Sequence, residues 1–243
     1  MKIGVAQTRP VEGDIQTNIF NHLKIIDLAI LNGADSIFFP ELSLTGYEPK
    51  LAKTFATDQD DPIFKQFQTI SDTKNITIGV GIPTKARSGI LISMIIFQPH
   101  SPKQTYSKQY LHPDELPYFV NGHQQLFLNV HNRKISPAIC YELSVPGHAE
   151  NASENGAEIY LASVAKTLSG AENAITNLSG IAKKYSMITL MSNCVGLCDG
   201  SECGGRSSIW NNRGVLAGQL DSICEGILII DTETQELIKK RLE

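Results

Sequence analysis

Apolar positions recur along this chain in two rhythms, and the alternation between them sets the fold class. Lys2 to Gln7 is a short β-prone run. Ile15, Ile19, Leu23, Ile26, Leu28, Ile30 and Leu31 then recur mostly every three or four residues, the helical period, with Asp14 placed to cap the helix and Asn32-Gly33 to stop it. Asp35 to Phe39 is a second strand ended by Pro40-Glu41, so the first forty residues read strand, helix, strand. Asp61 to Lys74 predicts a second helix, with Ile63, Phe64, Phe67 and Ile70 on one face. Ile76 to Ile82, closed by Pro83, and Gly89 to Gln98 predict a hairpin. Gln104 to Lys108 is a short strand, and Gln125 to Asn129 with Arg133 to Ile139 a further hairpin.

After Cys140 the layered pattern resumes. Helices are predicted over Pro146 to Asn155 and Ala171 to Ser186, and strands over Ala157 to Ser163 and Met187 to Ser192. Asn193 to Gly205, rich in Gly and Cys, reads as loop. Ser207 to Trp210, Val215 to Leu220 and Gly226 to Asp231 read as a closing meander. The charged tail, residues 233–243, is expected to fray or to reach a partner subunit. No internal repeat or linker divides the chain, so residues 1–243 are read as a single α/β domain with two sheets and helices outside.

Three polar groups fall where apolar strands stop. Cys140 ends the run Lys134 to Ile139 and precedes a Pro- and Gly-containing turn into a helix. Free backbone N–H groups and the helix dipole there favour a thiolate and any oxyanion beside it, although a buried cysteine is often only a small hydrophobe. Glu41 lies just past a buried strand, and apolar neighbours (Leu42, Leu44) should raise its pKa by desolvation. Lys108 ends a strand, where a lone lysine is ordinarily solvent-exposed. Together they supply a thiol nucleophile, a base to deprotonate it and a cation for an oxyanion, to which the Tyr141 backbone N–H would add a second donor.

Composition narrows the partners. The chain has 243 residues, 42% hydrophobic and 19% charged, with a formal net charge of −4 and no basic run, so the footprint of a nucleic-acid binder is missing. No apolar run approaches the ~20 residues that span a bilayer. The N-terminal run turns polar too early for a signal peptide, and five irregularly spaced cysteines favour a reducing compartment, so a cytoplasmic location is expected. Cys194, Cys198 and Cys203 lack the spacing and the fourth ligand of a zinc site, so free thiols and no metal are expected. Gly79-Val80-Gly81 lacks the third glycine of a dinucleotide loop. A pairing of Cys140 with His112 or His148 stays open on spacing alone.

The chain resembles the nitrilase superfamily of carbon–nitrogen hydrolases through Ile3-Gly4-Val5-Ala6-Gln7, Phe39-Pro40-Glu41-Leu42 with Thr45-Gly46-Tyr47, Tyr106-Ser107-Lys108 with Leu111, Ile139-Cys140-Tyr141-Glu142, and Gly204-Gly205-Arg206-Ser207-Ser208. The resemblance implies a four-layer α-β-β-α sandwich that pairs into a homodimer or higher homo-oligomer. It implies Glu41, Lys108 and Cys140 as catalytic residues, Glu115 as a second, substrate-positioning glutamate, no metal or organic cofactor, and a small amide or nitrile as substrate with water as co-substrate. The charge and hydropathy of the chain lead to the expectation of no nucleic-acid or membrane partner. In many relatives the cysteine is followed by an Asp- or Glu-Arg pair with an apolar residue beyond, and the next strand ends in a Pro-Ser-Ala-Trp-like segment that lines the pocket. Here the chain reads Tyr141-Glu142-Leu143-Ser144 and Ala162-Ser163-Val164-Ala165, so substrate choice does not transfer from the better-known subgroups.

Overall fold

The computed structural model describes residues 1–242. Its N-terminal half runs β1 (Lys2–Gln7), α1 (Ile15–Leu31), β2 (Ser36–Phe38), α2 (Ala52–Phe55), α3 (Lys65–Lys74), β3 (Thr77–Ala86), β4 (Gly89–Phe97) and β5 (Gln104–Ser107). The second half runs β6 (Leu128–Val130), β7 (Arg133–Ile139), α4 (Pro146–Glu154), β8 (Ile159–Ser163), α5 (Leu168–Tyr185), β9 (Ile188–Ser192), β10 (Val195–Cys198), β11 (Ser201–Gly204), β12 (Ser208–Trp210), β13 (Leu216–Gln219), β14 (Gly226–Asp231) and β15 (Leu237–Arg241). One sheet has the strand order β15-β14-β1-β2-β3-β4-β5 and the other β13-β12-β9-β8-β7-β6.

Strand alternation explains the layering. Ile3, Val5, Leu228 and Ile230 of the first sheet face Ile135, Ile139, Leu161 and Leu190 of the second in one buried cluster. The opposite faces carry Ile37, Ile78 and Val80 against Ile19, Ile26 and Phe67 of α1 and α3. Ala138, Tyr160 and Met191 likewise meet Ala149, Ala174 and Leu178 of α4 and α5. Each central strand is thus apolar on both faces, as strands covered on both sides must be. The result is the four-layer α-β-β-α sandwich expected from the resemblance.

The centre of each sheet is parallel: β1, β2 and β3 in one, β7, β8 and β9 in the other. The strand ends of the two sheets are tied directly. Ser163 Oγ donates to the Phe39 carbonyl at 2.7 Å, and Ser192 Oγ is 2.6 Å from the Ala6 carbonyl and 3.1 Å from that of Phe38. The chain segments carrying Glu41 and Cys140 leave the sheets at this seam.

Four local expectations change. Pro83 does not close β3: it lies opposite Ile92, and the strand continues to Ala86 opposite Gly89. β2 has already ended on that side, and Pro83 uses its carbonyl there, accepting from Thr57 N–H, so its missing N–H costs no ladder bond. Asn193 to Gly205 is not loop: β10 and β11 form a hairpin in register Gly196↔Cys203. The closing meander splits, because β14 pairs with β1 in the other sheet, while β12 and β13 stay in the second. The tail does not fray over Leu237–Arg241, which forms the edge strand β15 with Ile238 opposite Ile229.

Candidate functional site

The four side chains singled out in the sequence converge. β2 ends at Phe38, and Pro40-Glu41-Leu42 turns beneath β3, where Leu44 N–H donates to the Gly81 carbonyl and Gly81 N–H donates to Ser43 Oγ. β5 delivers Lys108, whose N–H still bonds to Ile92 of β4. Lys108 is fully buried, so its ordinary exposed state does not apply. Its Nζ donates to Glu41 Oε1 at 2.7 Å and to Glu115 Oε1 at 2.6 Å. Glu115 sits in a single 3-10 turn (Pro113–Glu115). It also accepts from Tyr47 OH at 2.8 Å and, through Oε2, from His112 N–H at 2.8 Å.

β7 delivers Cys140 at the start of a 3-10 turn, Cys140–Ser144, with φ of +46° at the cysteine itself. A non-glycine residue in the left-handed region costs on the order of 1–3 kcal/mol and persists only where its surroundings enforce it. Tyr141 is the second residue of this turn, so its N–H lies among those with no acceptor inside it.

The electrostatics follow from burial around one cation. Desolvation raises the Glu41 pKa; the charge of Lys108 opposes this and that of Glu115 adds to it, while the Lys108 hydrogen bond to Oε1 and the neighbouring Cys140 thiol pull it down. Desolvation also pushes the Cys140 thiol up to about 11, Glu41 assisting and Lys166 and Lys108 opposing. Burial alone would lower the Lys108 pKa, but Glu41, Cys140 and Glu115 outweigh it and hold the ammonium protonated. At neutral pH the thiol therefore keeps its proton, next to a carboxylate whose affinity for a proton has been raised.

Glu142, which appeared in sequence only as part of a motif, is a structural anchor for this arrangement. It is fully buried and accepts from Ile139 N–H at 2.6 Å, Gln109 N–H at 2.5 Å and Tyr106 OH at 2.7 Å. The residue before Cys140 and the residue after Lys108 thus share one carboxylate. Desolvation raises its pKa to about 7, against the lowering effect of those donors. His148 belongs to this network, with its ring nitrogens on Tyr106 OH and Tyr160 OH, while His112 lies beside Asp114 and against the Tyr141 ring. Among the described residues neither histidine hydrogen-bonds Cys140, so the Cys–His alternative finds no geometric support.

Cys194, Cys198 and Cys203, left as unconnected thiols by their spacing, also come together, with Tyr47 and Ala165 packed against them. Cys198 Sγ lies 3.5 Å from Cys194 Sγ. Hydrogen bonds from Cys194 and Cys203, and one from the Tyr47 backbone, hold Cys198 down to about 4, while Cys194 is raised by giving its proton to that bond.

The sandwich, with a buried carboxylate, ammonium and thiol at its strand ends, belongs to the nitrilase-type class of hydrolases that act on carbon–nitrogen bonds. The carbon-nitrogen hydrolase profile matches residues 2–241, and the chain is a member of that family. Among curated proteins it is 25% identical, over its whole length, to the glutamine-dependent NAD(+) synthetases of Acinetobacter baylyi and Aquifex aeolicus, and it spans 46% and 44% of their lengths. The chain thus corresponds to just under half of each relative. Among solved structures, the amidase from Nesterenkonia sp. AN1 superposes with a TM-score of 0.87 at 23% identity, over 95% of this chain and 90% of that one. In that structure the acetamide moiety of fluoroacetamide is added covalently at the active-site cysteine. A cysteine-to-alanine mutant of the same amidase, in complex with butyramide, gives a TM-score of 0.88 at 22% identity, over 97% of this chain and 92% of that one. At these identities the structural likeness establishes the fold.

Proposed function

We propose that this protein hydrolyses a small linear carboxamide through a thioester on Cys140. Glu41 accepts the thiol proton as the sulfur attacks the carbonyl carbon. Lys108 and the Tyr141 N–H hold the oxyanion. The carbon–nitrogen bond breaks, the proton on Glu41 goes to the departing nitrogen, and ammonia leaves. Glu41 then takes a proton from water as its oxygen attacks the thioester carbon; the carbon–sulfur bond breaks, the thiol regains the proton and the carboxylic acid departs. Glu115 fixes Lys108 and positions the substrate amide. The observation that carries this reading is the Lys108 ammonium held between Glu41 and Glu115 with Cys140 on a strained turn beside them. The raised thiol favours base-assisted attack over a preformed thiolate.

Within this class, the relationship to glutamine-dependent synthetases favours an ω-carboxamide of glutamine type as a second substrate reading. Association of two copies continuing the sandwich accompanies the proposal. No helix among the described residues is long and apolar enough to cross a membrane.

The test is ammonia release from short aliphatic amides, ω-amides, carbamoyl amino acids and nitriles, with intact-mass detection of an acyl adduct. Cys140→Ala should stay folded, release no ammonia and carry no adduct. Release at the wild-type rate by that variant would overturn the nucleophile assignment.

A further inference from the structure

The three cysteines of the β10–β11 region have no part in the proposed hydrolysis, yet they form the most concentrated set of soft donor atoms outside it. Their Sγ atoms all lie within 4.8 Å of one another, and the side chains are buried. Zinc–sulfur bonds of ~2.3 Å at a tetrahedral angle place two sulfurs about 3.8 Å apart, which matches this spread. We propose that Cys194, Cys198 and Cys203 form a three-thiolate site for a thiophilic divalent cation of the zinc type, with the fourth position left to water or another small ligand.

The scaffold around the sulfurs is built rather than incidental. Cys203 lies opposite Gly196 in the hairpin, and Gly196 adopts a φ of +84°, which lets β10 bend so that Cys194 and Cys198 present sulfurs to the same point. Asn193, immediately before Cys194, is locked from both ends of its amide. Its Nδ2 donates to the Gly205 and Lys166 carbonyls and its Oδ1 accepts from Lys166 N–H. Glu48 Oε1 accepts from Asp199 N–H next to Cys198 at 2.9 Å, which fixes the backbone of the hairpin turn beside the sulfurs, while the Asp199 carboxylate pairs with Lys50.

Two competing explanations fit less well. Packing alone does not call for three thiols, since this cluster is a satellite separate from the three large cores and meets only Tyr47 and Ala165 among partly buried hydrophobics. A disulfide would use two sulfurs and leave the third without a purpose at the same short range. Binding exchanges the remaining thiol protons for the metal and releases them to solvent. The site abuts the proposed catalytic one through Tyr47, which packs against the three cysteines and whose hydroxyl bonds Glu115, but its existence does not depend on the catalytic reading.

The experiment uses the full chain, stripped with chelator and held under a non-thiol reductant, then titrated with Co²⁺. One equivalent should produce thiolate-to-cobalt charge-transfer absorption in the near ultraviolet and the visible bands of a tetrahedral ion, and Zn²⁺ should displace it. Cys198→Ala and Cys203→Ser should each abolish these bands, with circular dichroism confirming their fold, while Cys140→Ala should retain them. The proposal is overturned if the wild-type chain develops no such absorption, if the bands persist in both cluster variants, or if they vanish in Cys140→Ala. Loss of two hydrogens on mild oxidation, mapped to a Cys194–Cys198 cross-link in a chain that binds no Co²⁺ when reduced, would instead assign a redox pair.

Discussion

A single methyl group at Gly81 is expected to separate the position of Glu41 from the stability of the fold. Gly81 lies in β3 directly over the turn that carries Glu41. A Cβ there would stand 2.4 Å from Leu42 N, 2.6 Å from the Pro40 carbonyl oxygen and 3.1 Å from the Glu41 carbonyl carbon. All three are backbone atoms, so no side chain can rotate away. Restoring ordinary contact requires the Pro40–Leu42 segment to retreat by about 1 Å, a displacement of the size that costs on the order of a hundredfold in a catalytic rate. Overpacking of this kind also destabilises by about 1–3 kcal/mol. In a chain of this length each kcal/mol lowers Tm by ~2–4 °C.

Gly79→Ala supplies the control. It sits on the same face of the same strand, but its new Cβ would meet only side-chain atoms, Phe38 Cδ1 at 2.5 Å, Phe38 Cε1 at 3.0 Å and Met94 Sδ at 3.2 Å. Both variants should lose comparable stability, whereas Gly81→Ala alone should lose Cys140 reactivity. The assay is the rate of fluoroacetamide addition to Cys140, followed by mass at the peptide level, alongside ammonia release from a competent amide. Equal reactivity of the two variants at matched Tm would refute the claim that Glu41 must lie where this turn places it.

Three further outcomes are expected. Glu115→Gln removes one of the two negative charges on Lys108, a hydrogen bond to a charged group of about 1.5–3 kcal/mol. Turnover should fall ~10–100-fold while haloacetamides still label Cys140, and unchanged kinetics would take Glu115 out of the site. Lys166→Met removes a positive charge that lowers the Cys140 pKa, so the pH profile of Cys140 alkylation should move to higher pH; an unmoved or lowered midpoint counts against that field. His22 is buried between the Asn18 carbonyl and Ser43 Oγ, and burial lowers its pKa from 6.5 to about 3. The unfolded chain then binds a proton that the folded one does not. Stability should be lost as pH falls from 6.5 towards 3, by at most ~5 kcal/mol, and urea midpoints for His22→Gln should show a shallower slope over that interval; an identical slope would exclude His22 as the cause.

What was legible in sequence depended on whether a group's environment was local. The central strands of both sheets are buried on both faces and so read as largely apolar runs, which is why Lys2 to Gln7, Ile76 to Ile82 and Lys134 to Ile139 stand out. Glu41 and Cys140 were conspicuous because each ends such a run. Lys108 was not, since its burial depends on Glu41, 67 residues away, as well as on Glu115, seven residues on. Glu142 is inconspicuous in sequence because its partners are the backbone N–H groups of Ile139 and Gln109, which have no sequence signature, and a hydroxyl 36 residues away at Tyr106. Cys198 and Cys203 lie in strands that read as loop in sequence, because Gly196 and Gly200, both at positive φ, are a strand position and the turn of the β10–β11 hairpin.

The least legible feature is the one on which the site depends most. Glu41 and Cys140 belong to different sheets, and no local pattern states how far apart those sheets bring them. Beside that separation Ser163 and Ser192, small polar residues ending apolar strands, tie the sheets together, their hydroxyls reaching carbonyls 124, 186 and 154 residues away at Phe39, Ala6 and Phe38. Burying a hydroxyl is costly unless it is hydrogen-bonded, and these two find carbonyls at the ends of the parallel strands of the opposite sheet. The same strand termination that exposes those carbonyls releases the chain to carry Glu41. The bonds that register the two sheets and the side chains that meet between them therefore arise from one feature, the common end point of the parallel strands.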